Sequence, residues 1–465
     1  MMRPTEIVER ALEASKASGC VVIVRESSEA VLRWANSTMT TNGHSTSLRW
    51  SVISLVDLDE GTGAGVVSSS ASVTDIAQIT DALRASELAA RQSGPAQDAA
   101  PLPDESEAAP SAADWSDEAV ATSVSVFGGL SEQLADAFVA GRSAGHLLFG
   151  FATHDLTTTW LGTSTGIRRR WAQPEGSVDL NARTPDGVSS AWGGMSSYDF
   201  ADVDLTGLAG DLTTRLGWGK RRLDLPAGRY PTILPPSAMA DLMIYFAWSM
   251  AGRPAQEGRS PFSAPGGGTR VGERLTDKGL TLFSDPTAPG FDYEPVLATT
   301  RSSDEVSVFD NGAAMRRVDW VREGVINELV YPRGSAKELG VEFIPPGENL
   351  LLSGGSDASL ADLVGGTERG LLLTCLWYIR EVDPTNLLLT GLTRDGVYLV
   401  EGGEVVGEVN NFRFNESPID LIRRAAEVGA TERALGREFK DWFTRTAMPP
   451  VLVPDFNMSS VSQAS

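Results

Sequence analysis

The chain has 465 residues, with 39 Lys and Arg against 61 Asp and Glu, a formal net charge of −22. Hydrophobic residues make up 42%, enough for a substantial core, whereas the carboxylate surplus disfavours nucleic acid or anionic lipid as a partner, since both are held by clustered Lys and Arg. Two cysteines, Cys20 and Cys375, exclude a disulfide scaffold and suit a reducing, cytoplasmic setting.

The length corresponds to about three average domains, or to two large ones. The first segment, MMRPTEIVERALEAS, is charged through its opening turns and lacks an apolar h-region. It predicts a helix with Ile7, Val8, Ala11 and Leu12 at helical spacing, not a signal peptide. CVVIV at 20–24 predicts a short buried strand, and 30–34 and 48–56 predict two more, separated by the turn signal Asn42-Gly43. Thr74 is the expected cap of a helix carrying Ile76, Ile79 and Leu83 on one face. Residues 92–118 hold four prolines, seven acidic residues and no Lys or Arg, the composition of a surface loop or a partly disordered insertion. Helical period returns over 130–140 through Leu134, Ala135, Phe138 and Val139. From 146 to 194 the texture is β, with His154-Asp155 at a turn, and a helix follows near 204–216. Residues 1–220 therefore read as an N-terminal α/β domain, with 221–227 as the boundary.

Residues 221–465 open with a strand and a helix, for which Ser237 is the expected N-cap and Met239, Leu242, Met243, Phe246 and Met250 the apolar stripe. Short strands with turn punctuation then dominate: LTLFSDP, SVFDNG, VDWVREGVINELVYP, NLLLSGG, GLLLTCLWYI and GVYLVEGGEVVGEV. They predict a large, curved, barrel-like antiparallel sheet. A helix near 418–428 and an apolar tail, MPPVLVPDF, close the chain. The fold class is α+β. No stretch reaches the roughly 18 apolar residues of a spanning helix.

Chemistry is sparse. The histidines are His44, His146 and His154, and no HExxH or HExxxH occurs, so no helix offers two imidazoles to a zinc ion. Gly162-Thr163-Ser164-Thr165-Gly166 matches G-x-S-x-G, but a nucleophile elbow must lead into a helix, and the strand-like IRRRWA that follows indicates a hairpin turn. Cys375 lies inside an apolar strand, which favours a buried packing thiol over a nucleophile. Gly266-Gly267-Gly268 does not open a helix after a strand and is a loop. By these signals the chain carries no catalytic, cofactor-binding or metal-binding residues of its own.

Several segments, in this order and spacing, resemble the TldD/PmbA (TldD/TldE) family: GRYPTILPPSAMADLMIYFAWSMAGRPAQEGRSPF, LTLFSDPTAPGFDYEP, VREGVINELVYPRGSA, GENLLLSGGSDASLADLVGGTERGLLLT and YLVEGGEVVGEVNNFRFNES. The resemblance implies a heterodimer of two homologous chains enclosing the active site. In it, the TldD-like chain holds Zn²⁺ through HExxxH and a Cys near its C-terminus. Counted back from GRSPF, the positions matching HExxxH are Met243, Ile244 and Trp248, within one residue of register, and no Cys follows Cys375. The chain thus resembles the TldE (PmbA) side. This implies no cofactor in this chain, zinc in a TldD-like partner subunit, and a small or unfolded peptide substrate. Asp292, Glu294, Arg301 and Arg333 are polar residues in these segments, and each reads first as a solvated or turn residue. The alternatives are a metal-free amide hydrolase using Ser164 or Cys375, and an assembly or binding subunit of a specialised biosynthetic pathway.

Overall fold

One long hairpin organises the first half. Strands β1 (Gly19–Ala35) and β2 (Thr38–Leu58) pair antiparallel along nearly their whole length. The three short strands expected here are therefore parts of two continuous ones. Asn42-Gly43 is not the corner: both residues lie inside β2. The chain reverses at Asn36-Ser37, where φ is 52° and 54°. Two successive positive φ values are what a tight type I′ turn requires, and Asn tolerates that region well. The computed structural model of the protein describes residues 2–108 and 114–462.

Strands β3 (Gly61–Ser69), β4 (Leu147–Thr163), β5 (Arg168–Arg183) and β6 (Ser190–Ser197) complete a six-stranded sheet in the order β3-β2-β1-β4-β5-β6. Every pairing in it is antiparallel. His154 and Asp155, expected at a turn, lie in mid-strand opposite Gly176 and Glu175. The two-residue period of a strand sorts β1 between the two faces of the sheet. Cys20, Val22 and Val24 pack with helices α1 (Pro4–Ala14) and α2 (Ile76–Ser93). Ala30, Leu32 and Trp34 pack with α3 (Gly128–Ser143) and α4 (Leu205–Trp218). Val21 and Ile23 pack on the other face, against Val308 and Phe309 of the second half.

Asp75, not Thr74, caps α2, because its carboxylate accepts the Ala77 amide while Gln78 reaches back to complete a capping box. Ile76 is then the first helical residue and stays 38% exposed. Val139 likewise falls on the outer side of α3, at 60% exposure, while Leu134 and Phe138 face the sheet. The described parts of the acidic stretch form an irregular strap laid across the molecule. Leu102 and Ala100 join the core around Phe309. Asp98 accepts from the Ser307 hydroxyl at 2.7 Å, and Glu107 pairs with Arg333 at 2.8 Å. Residues 109–113 of the predicted loop lie outside the described residues.

The second half holds two further sheets. A six-stranded one runs Val325–Ile326, Val318–Arg322, Thr281–Ser284, Leu350–Ser353, Thr446–Met448, Glu432–Ala434. A ten-stranded one runs Leu376–Asp383, Leu388–Thr393, Phe412–Glu416, Val451–Val461, Gly228–Leu234, Arg369–Leu373, Val397–Glu401, Glu404–Val409, Arg222–Leu223, with Glu427–Val428 beside Val451–Val461. Most pairings are antiparallel and three are parallel. The sheets are open, with Leu376–Asp383 at one edge of the larger, so the expected barrel-like curvature does not close. The overall class is α+β, as the strand and helix patterns indicate.

Local departures have local causes. SVFDNG contains a 3₁₀ turn, Val308–Asp310, started by the Ser307 hydroxyl accepting the Phe309 amide. The helix expected over 418–428 stops at Arg424, and Glu427–Val428 joins the sheet. GLLLTCLWYI breaks into two strands at Thr374-Cys375. The apolar tail is itself strand-forming: Val451–Val461 lies between Phe412–Glu416 and Gly228–Leu234, and burial there accounts for its hydrophobicity. Among the described residues, no helix is long and apolar enough to cross a membrane.

Candidate functional site

Helix α5 (Pro236–Trp248) is the sequence PSAMADLMIYFAW, and every residue from Ala238 to Ala247 is buried. A helix apolar on all sides must be enclosed, and α5 packs on strands of both sheets of the second half. Pro235 takes the cap position and Pro236 the first turn, where its missing N–H costs nothing; Ser237 lies inside that turn and caps nothing.

One face of α5 carries Asp241, Ile244, Tyr245 and Trp248, spaced so that they stack along the helix. The segment 436–442, which follows strand Glu432–Ala434, lies over this face. A Cβ at Gly436 would stand 2.9 Å from Asp241 Oδ1 and 3.5 Å from Ile244 Cδ1, so only glycine allows this approach without displacement. The Glu438 amide donates to Asp241 Oδ1 at 3.0 Å. Phe439 meets Tyr245 and Trp248 edge-on at 5.6 and 5.0 Å, and Trp442 meets Trp248 at 5.3 Å. The segment is also pinned to the edge strand Leu376–Asp383. The Glu438 carboxylate accepts from the Ile379 amide at 2.7 Å and pairs with Arg380 at 2.9 Å. The Tyr245 hydroxyl donates to the Ile379 carbonyl at 2.7 Å.

Beside this contact lies a small polar cluster. Arg437 donates to the Cys375 sulfur at 2.7 Å and pairs with Asp395. Its guanidinium lies over Trp192 and Trp377, at 5.4 and 4.9 Å from the ring centres. Burial pushes the Asp241 carboxyl up to about 7, against the pull of the Glu438 and Arg437 amides. Burial likewise pushes the Cys375 thiol up to about 12, although Arg437 opposes it. The thiol is therefore protonated at neutral pH and is a poor nucleophile.

Met243, Ile244 and Trp248, which the sequence resemblance aligns with HExxxH, lie on this helix. Met243 and Ile244 are fully buried, and Trp248 is half-buried beneath Phe439 and Trp442. A thioether, an alkyl chain and an indole do not form a zinc site, which takes thiolate, imidazole or carboxylate. Asp241, two positions before Met243, already spends an oxygen on a backbone amide. Among the described residues, no three His, Cys, Asp or Glu side chains converge. The side chains on α5 do not fit a zinc ion.

The other sequence candidates lie elsewhere. His154 contacts the Thr122 hydroxyl at 2.6 Å and the Tyr198 carbonyl at 2.7 Å, His146 contacts Thr213 at 3.3 Å, and His44 contacts Ser28 at 3.1 Å. Ser164 lies in the β4–β5 hairpin turn, and its oxygen accepts the Cys20 amide at 3.0 Å. Gly266-Gly267-Gly268 is a loop with positive φ throughout. Arg333 anchors the acidic strap, Asp292 lends its carbonyl to Tyr198, Glu294 is half-buried with its amide on Gln173, and Arg301 is exposed. None of these is brought to α5. The sequence reading missed Asp241, Arg437 and Glu438. Asp241 had a visible signal, being the single charge in an otherwise apolar helix. The other two had none, because their partners are distant in the chain.

A family model described as PmbA/TldA metallopeptidase C-terminal domain matches residues 227–460, just over half of the chain. No curated protein matches it by sequence. In structure it is similar to TldE from Thermococcus kodakarensis, with a TM-score of 0.76, 15% identity, and coverage of 97% of this chain and 98% of that one. It is also similar to a proposed modulator of a DNA gyrase from Thermotoga maritima, with a TM-score of 0.73, 16% identity, and coverage of 97% and 99%. A proposed modulator of DNA gyrase from Bacteroides thetaiotaomicron gives a TM-score of 0.74 at 15% identity, with 98% of both chains covered. Likeness at such low identity establishes the fold and nothing finer.

Proposed function

Starting from a chain that belongs to the PmbA/TldD family, we propose that it is the non-catalytic, TldE-like subunit of a two-chain zinc metallopeptidase. In this reading a TldD-like partner holds the zinc and hydrolyses peptide or amide bonds in small or unfolded peptides, in the cytoplasm. This chain stabilises that partner and walls the substrate chamber. One observation carries the proposal: the positions that the resemblance matches to HExxxH hold Met243, Ile244 and Trp248, the first two fully buried and the third covered by Phe439 and Trp442. Water activation needs an open coordination position and a base beside it, and Met243, Ile244 and Trp248 offer neither.

The test is purification of the chain alone, with measurement of zinc content and of peptidase activity on an unfolded peptide. The expected result is substoichiometric zinc and no turnover, with activity appearing when an HExxxH-bearing homologue from the same host is added. Stoichiometric zinc on the isolated chain, or turnover without a partner, would overturn the proposal.

A further inference from the structure

A cleft of about 410 Å³, with Arg437 in its lining, opens between the end of the N-terminal sheet and the ten-stranded sheet. That volume falls within the roughly 300–1,000 Å³ usual for small-ligand sites. Four arginines from four separate places in the chain line it. Arg183 ends β5, Arg222 belongs to Arg222–Leu223, Arg394 lies in the turn after Leu388–Thr393, and Arg437 forms part of the inner wall. In a chain with a net charge of −22 such a concentration is not a property of the surface at large.

Three carboxylates also line the cleft, and two of them are occupied. Asp395 is shared by Arg437 and Arg394 and accepts from the Ser190 hydroxyl. Glu408 faces Arg222 at 3.7 Å and accepts from Ser189 at 3.2 Å. Asp224, at the rim, is exposed to solvent. Arg183 makes no ion pair or side-chain hydrogen bond among the described residues. Arg437 donates to its protein partners through Nη1, and among the described residues no hydrogen bond is made by Nε or Nη2. The lining therefore carries a surplus of one positive charge, with guanidinium N–H groups unclaimed. Phe149, Val188, Leu223 and Val409 supply apolar wall beside them.

We propose that this cleft binds a carboxylate, namely the free C-terminal end of a peptide whose last side chain is apolar. A guanidinium fork matches a carboxylate in two parallel hydrogen bonds. A single surplus positive charge suits a monoanion, whereas a phosphate dianion would be left facing Asp224, Asp395 and Glu408. The choice of a peptide as the bearer of the carboxylate rests on the peptidase-subunit reading; the charge argument does not.

The experiment uses the full-length chain without a partner and without turnover, so that it fails or succeeds independently of subunit assembly. N-acetyl-Ala-Leu-Phe as free acid, the same tripeptide as C-terminal amide, and inorganic phosphate are titrated by calorimetry, with quenching of tryptophan fluorescence as a second readout because Trp192 and Trp377 flank Arg437. The acid is expected to bind at least about tenfold more tightly than the amide, the loss that follows removal of one charge-assisted pairing. Arg183→Ala, an exposed position without partners to disturb, brings the acid down to the affinity of the amide and leaves the amide unchanged. Arg394→Ala shifts the acid in the same direction. Equal affinity for acid and amide, no binding of either, an unaffected Arg183→Ala variant, or tighter binding of phosphate than of the acid would each overturn the proposal.

Discussion

Asp241 is a carboxyl group folded into a place that opposes its charge. Its ordinary value of 3.8 is raised to about 7 by burial, so the native state holds this proton more tightly than the unfolded chain does. The stabilisation is whole below pH 4 and is lost as pH rises through 7. Glu438 and Arg437 are the charged groups that face it, and both are unchanged in an Asp241→Asn variant. The amide keeps an acceptor for the Glu438 N–H but cannot ionise. Urea midpoints at pH 5 and pH 8 should therefore show the variant gaining on the parent by about 1–3 kcal/mol across that interval. A constant difference would mean that Asp241 is already protonated, or already solvated, throughout. Cys20 and Cys375 are both buried and free, and burial raises both thiols, to about 11 and about 12. Neither should react with a disulfide reagent at pH 8 until denaturant is added; rapid labelling of the native protein would contradict the packing described. The sequence announced the burial of Cys375 through its apolar neighbours, but not the arginine against its sulfur. That contact joins positions in two loops far apart in the chain, and no local pattern encodes it.

At the scale of elements, several close fits bring a glycine against another element's backbone. Helix α2 approaches β3 so nearly that a Cβ at Gly65 would stand 2.1 Å from the Ser86 carbonyl oxygen. Gly65→Ala must push the helix from the sheet, and a loss of about 1–3 kcal/mol is expected in denaturant unfolding. The 436–442 segment gives a second case. Phe439→Ala deletes two edge-to-face contacts from the cover of α5 and should cost about 1–3 kcal/mol, less than a fully buried phenylalanine. Trp442, 55% exposed, should cost clearly less on truncation to alanine. Regular elements were legible wherever apolar period was strong, as in α1, α4 and α5. Boundaries were less legible because they depend on turn chemistry that similar tripeptides share. Asn36-Ser37 turns the hairpin although Asn42-Gly43 is the better turn sequence, since register follows the pairing of Val22 and Val24 with Val52 and Trp50, which buries one face of each strand. Thr74 lost the cap to Asp75 by one residue for a similar reason: Gln78 completes the box only from there.

At the scale of the molecule, the halves are joined by several contacts between partly buried charges. Lys440 pairs with Asp179 at 2.7 Å, Arg445 with Glu175 at 2.9 Å, and the strap ties Glu107 to Arg333. Apolar packing of Val21 and Ile23 on Val308 and Phe309 adds to these. With the halves so coupled, thermal unfolding should appear as one transition by circular dichroism and by tryptophan fluorescence alike; two resolved transitions would show that the interface is weak. The α+β class could be read from the strand and helix patterns, but the division into three sheets could not, because strands far apart in sequence complete each other's edges. Val451–Val461 is the clearest instance. It sits between Gly228–Leu234 and Phe412–Glu416, and each of these is left with an unmatched row of amides and carbonyls until it arrives. During synthesis the earlier strands must therefore wait, with those edges unpaired, until Val451–Val461 has been translated. A chain stopped before Val451 is expected to aggregate when expressed, and a soluble, monodisperse truncated product in size-exclusion chromatography would contradict this role for the strand.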